Sequence, residues 1–339
     1  MKRLVLIATL VAMVGAGAWL WMQARLATPY RGFTESEVFV ELPQGAGVAR
    51  IAADLTAAGV VADPLTFRIA ARLSGNDRRL QAGEYRFTDA ASPFDIVARL
   101  AAGDVYVHPL TFPEGLTIAE MAGIFERAGL GTAEAFERAG ADGSLVGELD
   151  PEAKTLEGYL FPDTYALARK AGAAGTVAAM VDRFRAAFGA DLRAEAATQK
   201  LSLREVVTLA SLIEKETAAP AERPLVSAVY HNRLRVGMPL QCDPTVIYAL
   251  MQARRWRGNL TRQDLQINSP YNTYRFAGLP PGPIASPGLR SLEAAVRPAD
   301  VPYLYFVSRN DGTHVFATTL AEHNRNVQEW QVRYFRKAR

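Results

Sequence analysis

The chain has 339 residues, 49% hydrophobic and 22% charged, which suits a folded protein large enough for two or three domains. One cysteine, Cys242, excludes an internal disulfide framework. The histidines at 108, 231, 314 and 323 lack metal-ligand spacing, so neither a metal nor a cofactor is assigned. A net charge of +3 is too weak to name a partner, and nothing points to nucleic acid.

Met1-Lys2-Arg3 precedes an uncharged run, Leu4 to Met22. Its 19 residues approach the roughly 20 that span a bilayer as a helix. Lys2 and Arg3 favour a cytoplasmic start, and Trp19 and Trp21 suit the far interface. The expectation is a retained single-pass anchor over residues 1–24 and a polar linker over 25–37. Ala16-Gly17-Ala18 also resembles a cleavage site, but the apolar run continues past it.

A gapless internal repeat follows. Leu42 to Val60 aligns with Phe112 to Leu130, with Pro43/Pro113, Gly45/Gly115, Ala49/Ala119, Ala52/Ala122, Ala58/Ala128 and Gly59/Gly129 identical. Each copy reads as strand, Pro-x-Gly turn, amphipathic helix and glycine stop. Between them, 83–87 reads as a short strand and 92–100 as a short helix. This grammar resembles LysM, a small carbohydrate-binding module. The resemblance implies a LysM-like arm over 38–108 and a second repeat or connecting subdomain over 109–150. A plain spacer is the other reading.

From residue 151 to 339 a mixed α+β domain is expected, with helices near 173–190, 202–217, 221–235, 244–254 and 319–337. Ser202 with Glu205 forms a capping-box signature, and Asp243 with Pro244 reads as an N-cap and a first-turn proline. Asn310-Asp311-Gly312 marks a hairpin between 303–308 and 314–317. On the 202–217 helix, positions 203, 207, 210 and 214 share one face and read Leu, Val, Ala, Glu. Glu214 thus ends an apolar stripe. A solvated, mixed-charge last turn is the bland reading.

Five stretches of this domain interleave aromatic, amide and carboxylate groups, as a sugar polymer would require. They are LEGYLFPDTY (156–165), ASLIEKET (210–217), GMPLQCDPTVIYAL (237–250) after HNRL, SPYNTY (269–274) and GLPPGPIASPG (278–288). With PYLYFVSRNDGTHVFATTLAEHN (302–324), they closely resemble the YceG-like endolytic murein transglycosylases, in the same order and over nearly the whole chain. The fold this implies is α+β: an N-terminal transmembrane helix, a LysM-like α/β arm and a mixed α+β catalytic domain.

The resemblance also implies a lyase in the inner membrane, its catalytic domain in the periplasm, that cuts peptidoglycan glycan strands. It places the catalytic role on Glu214. Such an acid gives a proton to the departing glycosidic oxygen, and the resulting carboxylate then removes one from the sugar's 6-hydroxyl. A partly apolar cleft would favour the protonated acid, and the narrowing stripe of Val207 and Ala210 reads as one. The expected glycan contacts are Glu157, Tyr159, Gln241, Tyr271, Asn272 and Tyr274. Glu216 is the alternative catalytic carboxyl, Asp243 reads as a cap, and His231 and Asn232 as packing residues. Glutamine at 214 is expected to leave folding almost untouched, on the expectation that the side chain lies at a cleft edge. A muramidase-type hydrolase and a non-catalytic scaffold recruiting cell-wall synthases are the competing functions.

Overall fold

Several helices begin at residues whose side chains cap them. The side chains of Asp63, Ser92, Thr117, Ser202 and Thr319 each accept a backbone N–H from the turn that follows. They satisfy donors that have no partner within the helix. The computed structural model describes the backbone of residues 2–334, with side chains from residue 9 onward except 11. It divides into two units, Met1–Pro109 with Ala166–Lys170, and Leu110–Tyr165 with Ala171–Arg339. The mixed α+β class holds throughout.

Unit 1 opens with helix α1 (Lys2–Ala27). Among the described residues no helix is long and apolar enough to cross a membrane, and the expected span over 4–22 lies partly on side chains outside that description. Strands β1 (Val38–Leu42) and β2 (Gly83–Phe87) pair antiparallel, from Val38 opposite Phe87 to Leu42 opposite Gly83. Alternation turns Val40, Leu42, Tyr85 and Phe87 inward. Helices α2 (Val48–Ala57), α3 (Pro64–Leu73) and α4 (Pro93–Ala102) complete the core through Ile51, Leu55, Phe67 and Leu100. Burying each of these large side chains contributes about 1.5–3 kcal/mol. Helix α3 was not anticipated, although Asp63 followed by Pro64 is a helix-start signal.

The chain passes between units within β3 (His108–Thr111), within β4 (Thr164–Leu167) and again between Lys170 and Ala171. Unit 2 then contains α5 (Ile118–Arg127), α6 (Ala133–Gly140), α7 (Gly172–Ala187), α8 (Ala190–Thr198), α9 (Leu203–Glu216), α10 (Arg223–Arg235), α11 (Asp243–Gln252), α12 (Leu289–Val296) and α13 (Leu320–Val327). At its centre lies α9, where every residue from Val206 to Ile213 is buried. The expected one-sided stripe is therefore corrected: α8, α10, α11 and α12 pack around α9, which leaves no solvent face in that stretch.

The hairpin forms as β5 (Tyr305–Ser308) and β6 (His314–Ala317), with Asn310 and Gly312 both at positive φ in the turn. Helix α13 passes into a π-helical turn at Gln328–Arg333, so the helix expected over 319–337 changes character. Positions 335–337 lie outside the described residues. The cap of α11 shifts by one: Cys242 is the N-cap, without a side-chain bond, and Asp243 is the first helical residue.

The two repeat copies keep matching backbones. Gly45 and Gly115 take φ of 77° and 78°, and Gly59 and Gly129 take 70° and 69°. Glycine reaches this region without the Cβ penalty other residues meet, so the paired glycines mark the turn and the helix stop in each copy.

Candidate functional site

The last turn of α9 carries Glu214 out of the buried stretch into a ring of donors. Its Oε1 accepts from Arg223 Nη2 at 3.0 Å. Its Oε2 accepts from the Gly288 backbone N–H at 3.0 Å and from Ser291 Oγ at 2.7 Å. Ser291 in turn accepts from Arg223 Nε at 3.0 Å. Three elements meet here: α9 gives the carboxylate, α10 begins at Arg223, and α12 gives its N-cap Gly288 and its first-turn Ser291. An anion at the start of α12 is stabilised by the unpaired N–H groups there.

Two expectations change. The setting of Glu214 is ionic and hydrogen-bonded rather than apolar, and the side chain is only 7% exposed, as is Arg223. Glutamine at 214 would therefore disturb folding, because it leaves a buried guanidinium without its charged partner.

Glu114, which sequence reasoning passed over, stands in the same group. It lies in the Pro-x-Gly turn of the second repeat, with Oε2 3.8 Å from Arg223 Nη2. Burial, then the charge of Glu214, raises its pKa, against the pull of Arg223 and Arg290. The turn is fixed by Gly115 N–H donating to Ser286 O, Ser286 N–H to Leu116 O, and Lys215 Nζ to Gly115 O at 3.0 Å. The aligned position in the first copy is Gln44, and that difference in an otherwise matched turn was a readable signal.

A cavity of about 590 Å³ lies in unit 2, lined in part by Glu157, Tyr248, Gln252, Tyr271 and Pro283. Glu157 accepts from Ile118 N–H at 3.2 Å and from the Tyr248 hydroxyl at 3.3 Å. Burial pushes its pKa up to about 7. The rings of Tyr248 and Tyr271 lie 5.0 Å apart. The loop 278–288 joins the two places: Pro281 to Pro283 border the cavity, and Ser286 and Gly288 sit at the Glu214 ring.

Of the expected glycan contacts, Glu157, Tyr159 and Tyr271 gather at this cavity. Tyr159 is 1% exposed, and its hydroxyl donates to Asp150 at 2.6 Å, so it builds the cavity floor and is corrected as a direct contact. Asn272 is corrected likewise. It is fully buried, and its amide donates to the carbonyls of Leu265 and Ile267, which orders the loop. Gln241 and Tyr274 lie together elsewhere, at the start of α11. Gln241 is exposed at positive φ, and the Tyr274 hydroxyl donates to Asp243 at 2.5 Å.

Glu216 points away from the ring into a buried cluster. It accepts from the Tyr230 hydroxyl at 3.0 Å and interacts with Cys242, and burial raises its pKa. His231 and Asn232 bond backbone carbonyls of 295, 301 and 303. The arrangement at Glu214 can hold a negative charge in a fixed place beside a second, more exposed carboxyl.

The profile of the YceG-like family matches residues 40–329. The endolytic murein transglycosylase of Bacillus subtilis (strain 168) is 31% identical, over 93% of this chain and 90% of the relative. That of Streptococcus pneumoniae serotype 2 is also 31% identical, over 94% of this chain and 63% of the relative. The crystal structure of a YceG-like protein from Listeria monocytogenes superposes with a TM-score of 0.59 at 31% identity, covering 86% of this chain and 99% of that one.

Proposed function

The chain belongs to the YceG-like family, and from that premise we propose that it is an endolytic murein transglycosylase. It is a lyase that cuts peptidoglycan glycan strands between N-acetylmuramic acid and N-acetylglucosamine and leaves a 1,6-anhydro end. The observation that carries this reading is Glu214, fixed by Arg223, Gly288 and Ser291 at the end of an otherwise buried helix. The reaction delivers one proton to the departing oxygen and takes one from the 6-hydroxyl, whose oxygen closes on C1. Glu214 is the carboxylate placed for this proton traffic. Because no water enters and no glycosyl-enzyme intermediate forms, no carboxylate is needed to direct water or to attack C1.

Glu157, Tyr248 and Tyr271 offer a carboxyl and two rings to a sugar at the cavity, with Gln241 and Tyr274 as a further contact patch. Helix α1 anchors the protein in the inner membrane with the rest of the chain in the periplasm. The uncharged run 4–22 supports this, and the exposed Leu10, Met13, Val14, Trp19, Leu20 and Trp21 suit lipid. Its 26 residues extend about 39 Å at 1.5 Å each, more than the roughly 30 Å hydrocarbon layer. The LysM-like first copy presents the enzyme to the wall, where cutting would trim strands made by cell-wall synthases.

Digestion of defined glycan strands in heavy-oxygen water tests the reaction. Mass analysis should find unlabelled ends, lighter than a reducing end by one water and resistant to borohydride, with long strands shortening first to mid-sized pieces. Labelled reducing ends would make the protein a muramidase, and intact strands a scaffold.

A further inference from the structure

Glu214 is held by donors on both oxygens, from Arg223, Gly288 and Ser291. That is the partner set of an acceptor-only group. It suits a carboxylate that receives a proton better than an acid that must present one to a sugar oxygen.

Glu114 has the complementary surroundings. Its side chain is 48% exposed, and its distance to Arg223 Nη2 is 3.8 Å, against 3.0 Å for Glu214. Gly288 makes the neighbourhood possible: a Cβ there would overlap the Glu114 carboxyl. Glu114 therefore lies over the backbone whose N–H holds Glu214. The charged groups facing it are Glu214 from α9, Arg223 from α10 and Arg290 from α12, with Lys215 bonded to the neighbouring Gly115 carbonyl. Burial and the charge of Glu214 let Glu114 keep its proton to higher pH than an ordinary carboxyl.

We infer that Glu114 is a second catalytic carboxyl, the proton donor to the departing glycosidic oxygen, while Glu214 takes the proton of the 6-hydroxyl. This rests on the proposed reaction at Glu214 and divides its labour. The bond from C1 to the bridging oxygen breaks, its electron pair stays on that oxygen, and the oxygen gains the Glu114 proton. The 6-hydroxyl oxygen forms the new bond to C1 and releases its proton to Glu214. The products are a 1,6-anhydro end and a free 4-hydroxyl, and no oxidant, reductant or water is consumed. The pair resets when the proton on Glu214 exchanges through solvent and Glu114 is reprotonated.

The test compares full-length Glu114→Gln, Glu114→Asp, Gly288→Ala and Glu214→Gln on two substrates. One is the glycan strand. The other is a 4-nitrophenyl glycoside of the N-acetylglucosaminyl-N-acetylmuramic disaccharide, whose leaving group needs no acid. On strands, Glu114→Gln should lower kcat by ~100-fold or more, the lower range for general acid catalysis, with KM held. It should also abolish the fall in activity as pH rises through the Glu114 pKa. On the nitrophenyl substrate it should stay within a few-fold of the wild type. Glu114→Asp should keep the alkaline limb with part of the rate. Gly288→Ala keeps the backbone N–H and an ordinary φ of −77° but displaces the carboxyl, so it should mimic Glu114→Gln without a lower Tm. The inference is overturned if Glu114→Gln keeps strand turnover and the alkaline limb, or loses both substrates equally. If Glu214→Gln itself keeps strand turnover, the proposed reaction fails, whatever Glu114 does.

Discussion

The two copies of the repeat share a backbone and differ in what their turns touch. In the first, Pro43-Gln44-Gly45 is exposed, and a side chain on Gly45 would meet nothing within 4 Å. In the second, Gly115 is buried, and the turn is bonded through Gly115 and Leu116 to Ser286 and through the Gly115 carbonyl to Lys215. The helix starts differ as well. Gly47 caps α2 without a side-chain bond, whereas Thr117 and Glu120 form a full capping box on α5. Past that cap, Ile118 N–H donates to Glu157, a bond for which α2 offers no counterpart among the described hydrogen bonds. The same local grammar thus builds an exposed turn in one place and, in another, a turn bonded beside Glu214. What separates them is the set of distant residues that meets the turn.

Four experiments sharpen that contrast. The largest effect should come from Arg223→Met, which removes the cation between the second turn and Glu214. A buried carboxylate left without its partner costs about 3–5 kcal/mol, to be read as a fall in Tm and in the denaturant midpoint. Next is a pH dependence. The Glu157 carboxyl binds its proton more tightly folded, at about 7, than unfolded, near 4.5. Its contribution is therefore complete below pH 4.5 and is lost as pH rises toward 7, by roughly 3 kcal/mol. Glu157→Gln should flatten that slope in denaturation curves taken across the window. Smaller is Thr117→Ala, which deletes the cap that only the second copy has and should cost about 1 kcal/mol. Smallest is Gln44→Glu, which gives the first turn the residue of the second. With no arginine bonded there among the described residues, stability should shift by less than about 0.5 kcal/mol, and strand turnover should be unchanged. A measurable change in turnover would mean that the first turn also reaches the reaction.

Much of this contrast was legible in the sequence, up to a definite point. The repeat, its paired glycines, the Ser202–Glu205 box and the Asn310–Gly312 turn are local signals, and each formed where it was read. Glu214 became legible only through the motif around it. Its partners lie 9, 74 and 77 positions away, and no periodicity joins such distances. Asn272 shows a different failure. Its motif of asparagine among tyrosines looks like a sugar-binding surface, yet the amide is fully buried and ties two loop carbonyls, and composition alone cannot separate these uses. Helix α9 shows a third: its burial on all sides depends on helices that close over it from both directions along the chain.

The ring around Glu214 has a consequence for how the protein comes into being. Its members sit at positions 114, 214, 223, 288 and 291, so loops of tens of residues must close before Glu114, the Glu214–Arg223 pair and the Gly288–Ser291 pair come together. Contacts of such sequence separation form late, after local helices and turns. During synthesis the chain emerges from its N-terminus, and every stretch shorter than 291 residues lacks Ser291. The donor ring around Glu214 therefore cannot be complete until nearly the entire polypeptide has been made and folded.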